Sequence, residues 1–168
     1  QGPAALYSGS VGKAIVATVR SPQTAPGVRV PSGSMTMGDL GAYRALRKKP
    51  VHSTYRGHDV YGMPVPSSGG IAVAETLNLL QAYERRTGVP IAKATPAQYL
   101  HAFAEATSTA FADRNRWVGD VPGVPVTQLL STGFAAERAC GFDPTTAQSR
   151  PIAFGSPDGS YGPCAAAA

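Results

Sequence analysis

The sequence predicts an α/β chain of the α+β kind, in which about five helices accompany one β-hairpin. Apolar residues recur at helical spacing in several separate segments, a pattern typical of amphipathic helices. Only two short runs favour strands, one on each side of Arg56-Gly57, so the chain cannot build a complete sheet by itself. With 168 residues, 43% of them hydrophobic and 15% charged, it has the size and composition of one ordinary domain, residues 1–168.

The N-terminal part of the chain is predicted to form short helices separated by a loop. One helical turn is expected at residues 3–7, and a second helix begins near Ser10. Residues 21–33 contain three prolines and two glycines, which indicates irregular structure. Thr36 and Asp39 have the spacing of a capping box and predict the start of a third short helix.

The middle of the chain is predicted to form the hairpin and a long helix. Residues 51–55 and 59–63 are the two expected strands. Apolar residues at helical spacing predict a helix over residues 71–86, and Gly88 suits the position that follows its last turn.

The longest predicted helix spans residues 95–117 and begins with Thr95 as its cap. We expect this helix to be a main core element, with the side chains of Leu100, Phe103 and Phe111 buried.

The C-terminal part of the chain is predicted to lose regular structure. A shorter helix is expected at residues 131–140, and residues 143–168 show no periodicity and are predicted to be an irregular tail with few contacts. The two cysteines, Cys140 and Cys164, can form a disulfide, but two cysteines do not make a framework, so their redox state stays open.

The net charge of +5 invites a nucleic-acid interpretation, which the charge pattern disfavours. The basic cluster at residues 44–49 is followed by Pro50 and has no interleaved aromatic residue on which a base would stack. Basic side chains suit a helix C-terminus, so we interpret the cluster as a solvated helix end and expect no nucleic-acid partner. No apolar run has the length of a membrane span.

Residues 64–70, Pro-Val-Pro-Ser-Ser-Gly-Gly, form the most constrained segment of the sequence. Prolines stiffen the approach to the helix that follows, and Gly69 and Gly70 allow other backbone to come close. Ser67 lies outside a G-x-S-x-G motif, so we favour a helix cap over a nucleophile. A third interpretation is an anion site bordered by Ser67, Ser68, Gly69 and Gly70.

The residues alone indicate no catalytic set, no metal site and no cofactor. His52, His58 and His101 are scattered and match no metal-ligand spacing. Asp113 and Asp120 are better explained as groups that anchor a helix end through hydrogen bonds and an ion pair than as an acid pair.

Four motifs, in order, resemble the γ-glutamyltranspeptidase family. Residues 55–70 resemble its Y-R-G-Y-x-V-x-x-M-P-P-P-S-S-G-G stretch, with Val65 in place of one proline. Residues 6–11 are similar to F-Y-x-G-x-x, and residues 35–43 to M-T-x-x-D-L-A-x-Y. Residues 111–120 are similar to Y-A-D-R-x-x-x-x-G-D.

The resemblance implies the αββα sandwich of the N-terminal nucleophile hydrolases, formed from a precursor that cuts itself into a large and a small subunit. The family's nucleophile is the threonine that begins the small subunit in a T-T-H context, and its own α-amino group is the base. It passes a γ-glutamyl group from glutathione or a similar amide to water or an amino acid through an acyl-enzyme. The resemblance places this chain in the later part of the large subunit, so no catalytic residue is carried over onto it.

The resemblance also implies partners and a location. The partners are the rest of the precursor and a γ-glutamyl substrate, and the location is periplasmic or secreted. Because one hairpin with several amphipathic helices leaves apolar faces uncovered, we expect the isolated chain to self-associate, which light scattering would detect. A related N-terminal nucleophile acylase, and a non-catalytic helical interaction module that reuses this scaffold, remain alternatives.

Overall fold

The computed structural model describes residues 2–164, which separate into two units between Arg47 and Lys48. The first unit contains three helices, α1 (Ala4–Tyr7), α2 (Ser10–Arg20) and α3 (Met37–Ala42). The rings of Tyr7 and Tyr43 stack with their centroids 6.0 Å apart. Residues 21–36 are irregular, as the prolines and glycines of that loop predict.

The capping box predicted for α3 is confirmed. The backbone N–H of Thr36 donates to Oδ2 of Asp39 at 2.7 Å, and the N–H of Asp39 donates to Oγ1 of Thr36 at 3.3 Å. These hydrogen bonds from Thr36 hold the pKa of the Asp39 carboxyl below its ordinary value. Nη1 of Arg44 donates to the carbonyls of Gly41 and Tyr43, each at 2.7 Å, so Arg44 binds the carbonyl end of α3.

The second unit is built around one central helix. It contains the hairpin β1 (Val51–Tyr55) and β2 (His58–Gly62), α4 (Gly69–Thr87), a 3-10 helix (Ile91–Lys93), α5 (Pro96–Trp117), α6 (Val126–Leu129) and α7 (Thr132–Ala139). Helix α4 packs against both strands, α5, α6 and α7. The prediction of a helix-rich α+β fold with one antiparallel hairpin is therefore confirmed. Among the described residues, no helix has the length and apolarity needed to cross a bilayer.

The second strand begins one residue earlier than predicted. Val51 pairs with Gly62 and Tyr55 pairs with His58, which leaves a two-residue loop. Both loop residues have positive φ, 49° at Arg56 and 80° at Gly57, as such tight hairpin loops require. The Arg56 guanidinium lies 2.5 Å from Oε1 of Glu84 on α4, so an ion pair holds the loop.

The ends of the long helices follow the sequence signals. Gly88 ends α4 with φ of 71° and donates its N–H to the Glu84 carbonyl at 2.9 Å. Thr95 caps α5 through a capping box with Gln98. The 3-10 helix and α6 are too short for their periodicity to be recognised in the sequence.

The prediction of which face of α5 is buried is wrong. Leu100, Phe103 and Phe111 are 61%, 41% and 56% exposed. The face that packs inward carries small and polar residues instead: Ala102, Glu105, Ala106, Thr109, Ala110 and Asp113. Alanines let α4 and α5 approach closely, and the large apolar side chains are left on the opposite face.

Two apolar clusters form the core of the second unit. The first joins α4 and α5 to α7 and consists of Leu79, Leu80, Ala82, Tyr83, Ile91, Ala102, Ala106, Ala110, Ala135, Ala139 and Phe142. The second joins the hairpin to the start of α4 and to α6 and α7, and consists of Val51, Ile71, Ala74, Leu129 and Phe134.

A disulfide joins Cys140, at the C-terminal end of α7, to Cys164. It settles the redox state that the sequence left open, and a covalent loop of this length typically stabilises a fold by about 2–4 kcal/mol. The described part of the predicted tail, residues 143–164, contains no helix or strand. The expectation of few contacts is wrong, because this segment is tied to α5 and α7 by several side chains.

A buried phenylalanine on α7 and an exposed phenylalanine on α5 give a matched pair of substitutions. Phe134 is fully buried, so Phe134→Ala should lower the free energy of unfolding by about 3–5 kcal/mol. Phe111→Ala removes the same atoms from an exposed position and should cost no more than about 1 kcal/mol. Urea denaturation of the two variants and the unchanged protein measures the difference. Equal losses at both positions would contradict the burial pattern.

Candidate functional site

The turn between β2 and α4 depends on a close approach of two glycines. A Cβ placed on Gly62 would lie 2.5 Å from the Cα of Gly70. A Cβ placed on Gly70 would lie 2.9 Å from the carbonyl carbon of Gly62 and would also clash with the Met63 carbonyl oxygen. Side chains are therefore excluded at both positions, because the end of β2 lies directly on the first turn of α4.

Gly69 differs from Gly70 in this respect. A Cβ on Gly69 would meet only Oγ of Ser67, at 4.0 Å, which is an ordinary contact. The close backbone approach predicted for the glycine pair therefore belongs to Gly70 and not to Gly69.

The prediction that Ser67 caps the helix is wrong. Ser68 is the N-cap residue of α4, its backbone is helical, and no side-chain hydroxyl caps the helix. The turn is held through backbone groups, since Ser67 donates its N–H to Pro64 at 3.1 Å and Nζ of Lys48 donates to the Val65 carbonyl at 2.8 Å. The N–H groups of the first helical turn have no intrahelical acceptor, so an anion site bordered by Ser67, Ser68, Gly69 and Gly70 stays a prediction.

Two buried carboxylates on α5 bind the irregular segment that follows α7. Oε2 of Glu105 accepts hydrogen bonds from the backbone N–H and the side-chain amide of Gln148, at 3.1 and 2.8 Å. Oε1 of Glu105 accepts from Nη2 of Arg150 at 2.6 Å. The carboxylate is thus paired with a cation and supplied with donors, which is the condition for burying it without a large penalty.

Asp113, further along α5, is a second buried carboxylate that accepts hydrogen bonds from α7 and from the irregular segment. Its Oδ2 accepts from Nε of Arg138 on α7 at 2.8 Å, and its Oδ1 accepts from the N–H of Gly155 at 2.5 Å. Arg138 in turn donates to the Ala153 carbonyl at 2.6 Å. This confirms the interpretation of Asp113 as a structural anchor, whereas Asp120 is exposed at the end of the helix region.

Glu75 on α4 is fully buried beside this network. Within residues 2–164, neither of its carboxyl oxygens has a hydrogen-bond partner. Burial is the main cause that raises the pKa of Glu75 from its ordinary 4.5 to about 10; the neighbouring Asp113 carboxyl adds to the rise, and the Arg138 guanidinium opposes it. Glu75 is therefore a neutral acid at pH 7.

The histidines lie apart from one another. Nε2 of His52 lies 2.7 Å from Oδ1 of Asp59 on the neighbouring strand, and Nε2 of His101 lies 2.8 Å from the Asp143 carbonyl. No group of three or more potential ligands for a metal ion occurs in the described part of the chain. Trp117 donates Nε1–H to the Gly155 carbonyl at 2.9 Å.

The buried acid Glu75 and the partners of Glu105 and Asp113 were not predicted from the sequence. One signal was present: Glu105 and Asp113 are eight positions apart, so both lie on one face of a helix, and that face also carries the alanines. Acidic residues on a face of alanines are compatible with burial where donors pair with their carboxylates. Their partners, such as Arg150, come from a segment without periodicity and give no such signal.

Comparison with known proteins gives a consistent result. A family profile described as Gamma-glutamyltranspeptidase matches residues 1–167. The chain is 35% identical over 126 residues to the glutathione hydrolase proenzyme of Escherichia coli (strain K12), which is 74% of this chain and 19% of that protein. It is 34% identical over 140 residues to the acylase ACY 1 proenzyme of Pseudomonas sp. (strain V22), which is 82% of this chain and 23% of that protein. The chain thus spans about a fifth to a quarter of the length of these curated relatives.

Solved structures share its fold. The gamma-glutamyltranspeptidase from Pseudomonas nitroreducens complexed with L-DON superimposes with a TM-score of 0.71 and 28% identity, over 92% of this chain and 44% of that chain. The gamma-glutamyltranspeptidase of Helicobacter pylori gives a TM-score of 0.67 and 26% identity, over 96% of this chain and 41% of that chain.

The neutral Glu75 predicts a distinctive pH dependence of stability. Between about pH 4.5 and 10 the folded protein holds one proton at this site that the unfolded chain has lost, so the free energy of unfolding falls as pH rises, by at most about 1.4 kcal/mol per pH unit. Glu75→Gln keeps the shape and removes the titration. The variant's advantage in melting temperature over the unchanged protein should therefore grow from pH 5 to pH 9. An advantage that stays constant over this range would show that Glu75 does not titrate in this way.

The glycine pair gives a second matched comparison. Gly70→Ala forces the backbone of β2 and α4 apart and should lower the melting temperature by several degrees. Gly69→Ala places its methyl group in free space at the start of a helix and should leave the melting temperature unchanged or slightly raised. Thermal unfolding followed by circular dichroism measures both, and equal effects would show that the close approach of Gly62 and Gly70 is unimportant.

Proposed function

The chain belongs to the gamma-glutamyltranspeptidase family, and we propose that it forms the later part of the large subunit of an enzyme that cleaves γ-glutamyl amides such as glutathione. The enzyme passes the γ-glutamyl group to water or to an amino acid through a threonine acyl-enzyme. The observation that carries this proposal is the match of the family profile to residues 1–167, over the fold shared with two gamma-glutamyltranspeptidases.

The role of this chain in that enzyme is structural. Its strongest polar interactions, at Glu105 and Asp113, are fully used in holding the fold and leave no free nucleophile–base pair there. The threonine and its amine would be supplied by the small subunit, and the turn at Ser67, Ser68, Gly69 and Gly70 would form a rigid border of the active site. A scaffold role for this chain and a nucleophile on the small subunit agree with the proenzyme names of the relatives.

The partner of this chain is the rest of the same precursor. The exposed face of α5 presents Tyr99, Leu100, Phe103 and Phe111, whose rings and side chains are 41% exposed or more. Large apolar groups gathered on one helix face are typical of a surface that another element covers. The remaining polypeptide of the precursor is the proposed occupant, and the same exposed face is the surface through which we expect the isolated chain to self-associate.

The disulfide supports the proposed location. Disulfides form and persist in oxidising compartments, and Cys140 and Cys164 are paired. A periplasmic or secreted enzyme is therefore proposed.

A related acylase is the second candidate, because the chain is as similar to an acylase proenzyme as to a glutathione hydrolase proenzyme. We propose to distinguish the two candidates by the acyl group that the complete enzyme accepts. γ-Glutamyl-p-nitroanilide and glutaryl-p-nitroanilide have the same carbon chain and differ only in the α-amino group, so their relative rates separate the two.

Activity measurements test the proposal. The 168-residue chain alone should not hydrolyse γ-glutamyl-p-nitroanilide, because it lacks the proposed nucleophile. The complete precursor should split into two chains and then hydrolyse this substrate faster than its glutaryl analogue. The opposite preference would favour the acylase, and a complete protein that neither splits nor turns over either substrate would favour the non-catalytic interaction module. Turnover by the isolated chain that Ser67→Ala abolishes would make Ser67 catalytic.

A further inference from the structure

We propose that the Cys140–Cys164 disulfide is a positioning element for precursor cleavage: it fixes the backbone at residue 164 on α7, ahead of the cleavage site in the proposed precursor. The proposal rests on the function proposed above, in which the nucleophilic threonine follows this chain. It adds a specific requirement, that the disulfide must form before the precursor cuts itself efficiently.

The first half of the segment after α7 is fixed by α5. Glu105 binds Gln148 and Arg150, and Asp113 and Trp117 both bind the backbone of Gly155. All of these partners on α5 are buried or half-buried. They fix the path of the chain as far as residue 155, well before Cys164.

The second half is fixed by α6 and α7 through Tyr161. The Tyr161 ring packs 5.6 Å from the Phe134 ring and lies over Gly133, where a Cβ would come within 2.7 Å of it. Its hydroxyl donates to Oε1 of Gln128 at 3.1 Å. Because Gly133 has no side chain, the Tyr161 ring can pack directly against α7 at this position.

Between Tyr161 and the disulfide, the contact that holds the chain in place is weak. The N–H of Gly162 donates to Oε2 of Glu137 at 3.1 Å, at an exposed position where water competes for both groups. In the described part of the chain, the covalent bond from Cys164 to Cys140 is the anchor that follows, with the Cα atoms 5.2 Å apart. The position of residue 164 thus depends on this one bond.

Precise position at this point affects cleavage because the reacting groups must meet in a narrow range of geometry, and a misplacement of about 1 Å costs on the order of 100-fold in rate. Cleavage hydrolyses one peptide bond: the hydroxyl of water is added to the carbonyl carbon, and its hydrogen goes to the released amine. A residue that sets the path of the chain into that bond acts on the rate through position, without touching the reacting atoms.

The bond is accessible to a reductant, because Cys164 is exposed while Cys140 is half-buried. A dithiol such as dithiothreitol supplies two electrons and two protons. The S–S bond breaks, two thiols form on the protein, and the reductant becomes a cyclic disulfide. Reduction therefore removes the anchor and leaves every other side chain unchanged.

The experiment uses the complete precursor, synthesised with and without dithiothreitol, and follows cleavage on a gel over time. The double variant Cys140→Ser, Cys164→Ser is the control, since it has no bond to reduce. We expect reduction to slow cleavage of the unchanged precursor about tenfold or more, and the double variant to cleave at that slow rate with or without dithiothreitol. Removal of the reductant and addition of an oxidant should restore the fast rate only in the unchanged precursor.

A second readout separates positioning from stability. Once cleavage is complete, reduction should change kcat/KM for γ-glutamyl-p-nitroanilide by less than about twofold. Equal cleavage rates in oxidised and reduced precursor, both well below the melting temperature, would overturn the proposal and leave the disulfide a stabilising cross-link. An oxidised precursor that never cleaves would instead overturn the proposed function, and this proposal with it. Should the double variant fail to unfold cooperatively, the comparison of oxidised and reduced unchanged precursor decides alone.

Discussion

The burial of two carboxylates on α5 is the constraint on which the second unit depends. Glu105 and Asp113 lie about 12 Å apart along one face of the helix, at 1.5 Å per residue. A buried charge without a partner costs several kcal/mol, so each needs donors brought to it. Helix α7 supplies Arg138, and the irregular segment supplies Gln148, Arg150 and the N–H of Gly155. A segment without a helix or strand of its own thereby obtains a defined path.

The same constraint explains why the large apolar residues of α5 lie on its outer face. The inner face is occupied by carboxylates, Thr109 and alanines, which let α4 pack closely. Leu100, Phe103 and Phe111 then have no place in the core of this unit and form a second apolar surface. A helix with apolar residues on both faces is typical of an element between layers: one face of α5 packs within this chain, and the other is the exposed surface on which we proposed that the rest of the precursor packs.

The sequence predicts the elements of this fold better than their packing. Local signals such as the Thr36 and Thr95 capping boxes and Gly88 depend on residues a few positions apart, and the structure follows them. Burial depends on distant partners, and a helix with apolar residues on both faces does not show which face packs inward, so the inner face of α5 was missed. The turn was found by its composition, but only the crossing with Gly62 shows that Gly70, and not Gly69, is the residue that cannot carry a side chain.

The motifs that carry the family resemblance have structural explanations in this chain. Asp39 closes the capping box of α3, Gly70 permits the crossing with β2, and Asp113 joins α5 to α7 and to Gly155. Each of these requirements comes from folding. Because these residues fix a scaffold, they are expected in any enzyme built on it, whichever acyl group it accepts. Such a scaffold role is compatible with the nearly equal identity of the chain to a glutathione hydrolase proenzyme and an acylase proenzyme.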